Sequence, residues 1–180
     1  VALLQLSADE PGPRVTGYWG ALADTESLAI AERLGLPGLA GDLFADGSLG
    51  SHTAYLADGY ADACGGSRGH AYVSESDVCE HVCECTRHGL QAGFHVIGDE
   101  ALSIVLAGFR RAAERVGRDA IRAGRHRLEH LQLAGPEHWA VMADLGLLAS
   151  VQPVSDHLWG GAEGMYAERL GAARARTTNP

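Results

Sequence analysis

Lysine is absent from this chain of 180 residues, so all fourteen cationic side chains are arginine. Every mechanism that needs an ε-amino group is thereby excluded, including a Schiff base, a phosphate-loop lysine and a carboxylated lysine bridging two metals. Cysteine is scarce: four residues are too few for a disulfide scaffold at this length, and reduced thiols are expected. No uninterrupted apolar run approaches the roughly 18 residues of a spanning helix. The N-terminus also lacks the basic start and small-residue cleavage pattern of a secretory signal. Positive charge is in deficit, and a net charge of -9 with a pI near 5.4 argues against nucleic-acid or polybasic membrane binding. The expectation is a cytoplasmic protein with a small-molecule ligand and neither nucleic acid nor membrane as partner.

What is present reads as alternating strands and helices. Val1 to Leu6, Leu39 to Ala45, Leu90 to Ile97 and Leu147 to Val151 are short, largely apolar runs that read as strands, and the polar-rich Arg125 to Leu131 reads as a fifth strand. Helices are expected near residues 25–34, 76–88, 99–116, 136–145 and 163–173, from caps, apolar spacing and terminating glycines. Residues 46–74 are Gly-rich and without period, and a loop so long inside one domain is usually functional or mobile. Strands alternating with helices, without hairpin signals, indicate βαβ units and a parallel sheet. The choice is between an open doubly wound sheet and a (β/α) barrel. No Gly-x-Gly-x-x-Gly follows the first strand to favour a dinucleotide-binding version.

Chemistry-bearing residues collect at the C-terminal ends of these strands: Asp42 to Asp46, His95 to Asp99, His126 to His130, and Gln152. In a barrel that is where catalytic side chains come from, and histidines beside carboxylates suit a divalent metal with an open position for water. His95 interrupts an apolar strand and is either a metal ligand or a core histidine bonded to backbone. Asp99 either caps the following helix or joins the chemistry. Alternation puts His126, Leu128 and His130 on one strand face and Arg127 and Glu129 on the other; His130, nearest the rim, is the better ligand. Glu129, if it faces the helices, needs a partner such as arginine. Cys79, Cys83 and Cys85 lack a second cysteine pair and read as packing residues rather than zinc ligands. The arginines at 110, 111, 115, 118 and 122 read as a solvated helix face, and Trp19, Trp139 and Trp159 are too scattered for a stacking platform.

The strings GDLFADGSLGSHTAYLADGYAD, GFHVIGDEAL, RHRLEHLQL and ASVQP, in that order and at compatible spacing, together resemble amidohydrolase family 3 of the amidohydrolase superfamily. The resemblance covers nearly all of the chain, whereas members of the family are several times longer. It implies an α/β fold, a (β/α)8 TIM barrel of the metal-dependent hydrolase type, present here as a partial barrel of about strands 3 to 7 across residues 1–180. It implies one or two divalent metals, zinc by preference, and hydrolysis of non-peptide C–N bonds in small amides or N-acyl compounds by a metal-activated water. By motif His95 and His130 match the ligands after the fifth and sixth strands, Asp46 opens the loop after the fourth, and Gln152 ends the seventh, the last two being expected at the substrate. The family's His-x-His pair and its aspartate base fall on strands that this sequence does not contain. Within it, Asp42 stands where the pattern often carries lysine: either it supplies a shorter carboxylate, or the enzyme uses one metal. The segment alone is therefore expected to be inactive and, with two open sheet edges, to self-associate. A noncatalytic amidohydrolase-like binding module and a deaminase on the same scaffold are the alternatives.

Overall fold

The computed structural model describes Leu4, residues 12–63 and residues 65–179. The strand expected over Val1 to Leu6 lies outside the described residues except for Leu4, which is helical rather than extended.

Local chemistry sets the helix ends. α1 (Thr25–Leu34) begins at Asp24, whose carboxylate accepts the Ser27 N–H, and ends at Gly35 in the left-handed region. α2 (Glu75–Arg87) is opened by a reciprocal capping box between Ser74 and Asp77, which satisfies two otherwise orphaned amides. α3 (Asp99–Val116) begins at Gly98, so Asp99 is its first helical residue rather than its cap. Gly117, at φ 91°, breaks the chain between α3 and α4 (Arg118–Gly124). α5 (Pro136–Leu145) starts on proline, whose missing N–H costs nothing there.

Four strands, β1 (Gly38–Leu39), β2 (Gln91–Val96), β3 (Arg127–His130) and β4 (Leu148–Ser150), form one parallel sheet in that order. The register pairs Phe94 with Leu128 and His95 with Glu129, so equivalent faces align across the wall. Ala92, Phe94, Val96 and Leu128 are fully buried in the main core with Val78, Val105 and Phe109 of α2 and α3. Phe94 sits edge-on to both His81 and Phe109. The other face carries Gly93, His95, Arg127 and Glu129, as a period of two requires. This is a section of (β/α) barrel wall, helices outside and polar residues inside.

Three expectations are corrected. The run from Leu39 to Ala45 pairs only at Gly38–Leu39 and again at a single bridge from Phe44 to His95, because Ala40 and Gly41 both adopt positive φ (64° and 68°) and interrupt the extended backbone. The last helix divides at Gly171 (φ 80°) into α7 (Met165–Leu170) and α8 (Ala172–Ala175). An unexpected helix, α6 (Pro153–Trp159), follows β4. The arginine face is exposed but paired: Arg111 with Glu75 at 3.1 Å, Arg115 with Glu80 and Arg118 with Asp144.

A second, smaller core sits over the C-terminal rim, where Leu49, Ala54, Leu56 and Tyr60 of the 46–74 loop meet Ile97, Leu133, Tyr166 and Leu170. No helix among the described residues is long and apolar enough to cross a membrane.

Candidate metal centre

β2 delivers His95 to the inner face by simple alternation. β3 does not deliver His130 in the same way: Leu128 points to the helices, and two residues later the ring should follow it. Instead His130 and Leu131 both take positive φ (73° and 56°), which turns the His130 ring inward. Left-handed backbone at two successive non-glycine residues costs on the order of 1–3 kcal/mol each and persists where the surroundings hold it. β1 ends in the same way at Ala40 and Gly41, and the turn brings Asp42 back to the rim.

The result is a trio. Ligand atoms of Asp42, His95 and His130 all lie within 4.8 Å of one another, the single such group of three among the described residues. Asp42 Oδ1 is 3.3 Å from His130 Nε2 and 3.7 Å from His95 Nδ1. Two ligands held at ~2.0–2.1 Å from one tetrahedral ion stand roughly 3.4 Å apart, so the observed spacings suit a shared cation. The His95 and His130 rings lie edge to face with centroids 4.5 Å apart.

The remaining ring nitrogens settle the tautomers. His95 Nε2 is 3.0 Å from the Gly47 carbonyl and His130 Nδ1 is 2.7 Å from Gln152 Oε1; since both acceptors lack hydrogens, each of these nitrogens carries the proton. Gln152 is itself oriented by donating to the Ser150 carbonyl at 3.2 Å. That leaves the lone pairs of His95 Nδ1 and His130 Nε2 facing Asp42. His95 Nδ1 is buried and has no hydrogen-bond partner, the condition of an atom built to meet something absent from the protein itself. Burial of the ring lowers the His95 pKa, which favours the neutral, ligating form. The donor set therefore fits a divalent cation.

Asp46 has a different occupation from the one expected. It is fully buried, with Oδ2 accepting the Tyr55 and Gly98 N–H groups (2.8 Å each) and Oδ1 that of Ile97 (3.0 Å). Burial pushes its carboxyl up to about 6, against the pull of the three amides toward the ionised form. It fastens the 46–74 loop to the end of β2 and presents no surface to a substrate. Gln152, also expected at the substrate, touches the His130 ring. Asp99 binds the Ala57 N–H at 2.9 Å and Arg174 at 2.7 Å, tying the loop to α8. Glu129 faces the barrel interior rather than the helices, and its partner is Arg127, 2.5 Å away on the same face.

The histidine facing the helices is His126. Its Nδ1 accepts the Ala92 N–H at 2.9 Å, and its Nε2 is 3.1 Å from the Thr86 hydroxyl, which in turn donates to the Val82 carbonyl. His81 accepts the Ala23 N–H at 2.9 Å and approaches Cys85. Burial lowers both rings to about 4. Cys79, Cys83 and Cys85 are buried and free, and join no metal-ligating group of three among the described residues.

Trp159 was set aside by sequence as one of three scattered tryptophans, and Tyr166 was not singled out. They border a cavity that His95 and His130 also line. The usable signal was Pro153 directly after the strand-terminal Gln152, since proline favours the first helical position, and α6 carries Trp159 to the rim.

The model of the family described as Amidohydrolase family matches residues 3–180. Protein LONG AFTER FAR-RED 3 of Arabidopsis thaliana is 32% identical over 160 residues, 87% of this chain and 26% of that protein. Among solved structures, an uncharacterized metal-dependent hydrolase from Pyrococcus horikoshii OT3 superposes with a TM-score of 0.70 at 25% identity, over 99% of this chain and 35% of that one. Another from Pyrococcus furiosus gives 0.71 at 24% identity, over 98% and 36%. The chain thus spans about a quarter of the curated relative and about a third of each solved structure.

Proposed function

The chain belongs to the amidohydrolase family, and from that premise we propose that it is the central part of a metal-dependent hydrolase. The reaction is cleavage of a non-peptide C–N bond in a small linear amide or N-acyl compound by an activated water. The observation that carries this reading is the buried, unpartnered His95 Nδ1 facing the same point as His130 Nε2 and Asp42.

His95, His130 and Asp42 are the residues that would hold one divalent cation, and a donor set of two imidazoles and a carboxylate suits zinc. A cation bound there supplies Lewis acidity, polarising a carbonyl and lowering the pKa of water toward ~7. The chain's own residues do the positioning. The Gly47 carbonyl and Gln152 each take a ring proton, and so fix both imidazoles in the tautomer that offers a lone pair inward. Asp42, in place of the lysine that the family pattern often carries, removes the carbamate that would bridge two metals, so a single cation is favoured. Its side chain is 60% exposed and stands on the open side, where the rest of the barrel would close over it.

The further ligands and the aspartate that passes a proton to the leaving nitrogen belong to strands beyond this segment. The 180 residues alone are expected to bind metal weakly, to self-associate through their open sheet edges and to be inactive. The test is amine release by the intact protein from a panel of linear amides and N-acyl compounds. Turnover abolished by a chelator and restored by zinc is expected, whereas turnover indifferent to chelation would overturn the reading.

A further inference from the structure

Three cavities adjoin the trio: one of about 430 Å³ holds Asp42 and His130 together with Arg127 and Glu129, which are paired with each other, and two more flank it. The larger, about 770 Å³, reaches Asp42 but neither histidine, and Phe44 and Tyr72 on its wall are exposed. The smaller, about 400 Å³, has His95 and His130 in its wall and falls in the size range of small-molecule sites. Its other walls are Leu49, Ile97, Trp159, Met165 and Tyr166, and no Asp, Glu or Arg lines it. Most of the polar groups there are already engaged: Gln132 donates to the Tyr166 hydroxyl at 2.6 Å, Gln152 bridges His130 and the Ser150 carbonyl, and the Ser48 hydroxyl pairs with that of Ser51 at 2.9 Å; the remaining one, Ser155, is an uncharged hydroxyl. A charged group entering this space would lose water and gain no counter-ion, while an apolar one would be favoured in proportion to the surface it buries.

We propose that this cavity receives an uncharged, apolar substituent of the scissile amide, of the size of an aromatic ring, with the carbonyl left beside the two histidines. The proposal rests on the hydrolase reading and adds to it a substrate class: neutral amides with an aryl-sized group in preference to amides bearing a carboxylate at that end. Gly50 lines the cavity at its exposed edge. A Cβ there would meet only Met165 Cε at 3.7 Å, so the pocket is open in that direction and a larger side chain would fill it. Trp159, whose ring lies 6.5 Å from that of Tyr166, forms the outer wall.

The test uses the intact protein and two probes that differ only at the end in question, N-methyl-3-phenylpropanamide and N-methylsuccinamate, titrated by ligand-observed NMR with and without chelator. The phenyl compound is expected to bind at least about tenfold tighter, the gain from burying one ring. Gly50→Leu should weaken it about fivefold or more by occupying the space, and leave the succinamate unchanged. Trp159→Ala, which removes surface instead of adding it, should weaken it in the same selective way. Equal or tighter binding of the succinamate, or indifference of the phenyl compound to both variants, would overturn the proposal. Selective ring binding that survives chelation while no amide is turned over would support the pocket and defeat the hydrolase reading. Turnover that prefers the carboxylate would do the reverse.

Discussion

The barrel wall and the assembly over its rim each have an apolar core, a large one and a small one, and differ in the polar contacts added to it. The wall is a dry core in which even the polar groups, His81 and His126, are neutral and satisfied by backbone amides. The rim is a long loop and two short helices around a smaller apolar core, to which charged ties are added: Asp62 to Arg169, Asp99 to Arg174, and the buried Asp46 carboxylate to three amides. The candidate ligands lie at the seam, His95 and His130 rising from the wall and Asp42 from the turn after β1. The contrast teaches that stability and chemistry are supplied by separate layers, so substitutions in each should leave distinct signatures.

The largest effect expected is acid destabilisation of the wall. Burial lowers both His81 and His126 from 6.5 to about 4 in the folded chain. Between those values the unfolded chain binds more protons, so stability is whole above pH 6.5 and falls as pH drops toward 4. The contribution lost is on the order of 3 kcal/mol per ring. Urea unfolding at pH 7 and pH 5 reads about 2 kcal/mol of it per ring, and His81→Asn with His126→Asn should flatten the slope. A similar loss, about 3–5 kcal/mol, is expected for Phe94→Ala, because it opens a cavity between His81 and Phe109. The same unfolding assay reads it, and a loss under 1 kcal/mol would show that the wall is not the main store of stability.

Rim substitutions should cost less and act locally. Asp46→Ala orphans three backbone N–H groups, at about 1–3 kcal/mol for each, offset by relief of a carboxyl that burial pushes up to about 6. Hydrogen exchange should accelerate over residues 46–74 and at the end of β2, leaving α2 and α3 protected. Exchange rising evenly over both regions would mean that wall and rim unfold as one. Smallest is Arg169→Ala, which breaks a partly exposed ion pair with Asp62 and should shift stability by less than about 1 kcal/mol.

The same division governs what could be read from sequence. The wall was legible because its signals are periodic and local: apolar alternation, caps and closing glycines located β2, α2, α3 and α5 nearly to the residue. His95 was legible as an imidazole in an otherwise apolar strand. The facing of His130 was not, because two successive left-handed residues reverse an alternation that sequence can only extrapolate. The strand after α1 was overdrawn for the same reason at Ala40 and Gly41. Asp46 was misplaced because an aspartate followed by glycine and serine at a strand end looks alike whether it meets a ligand or the chain's own amides. The pocket as a whole was out of reach, since Leu49, Ile97 and Tyr166 converge only through the second core, and Trp159 reaches them from α6.

The central claim is that Asp42, His95 and His130 share one divalent cation, and it is tested most directly by zinc titration of the intact protein and of His95→Ala, His130→Ala and Asp42→Ala, with circular dichroism as the control for folding. One zinc per chain is expected, with affinity falling at least about 100-fold in each histidine variant and less in Asp42→Ala, while the fold persists. Affinity unchanged in a folded His95→Ala protein would contradict it.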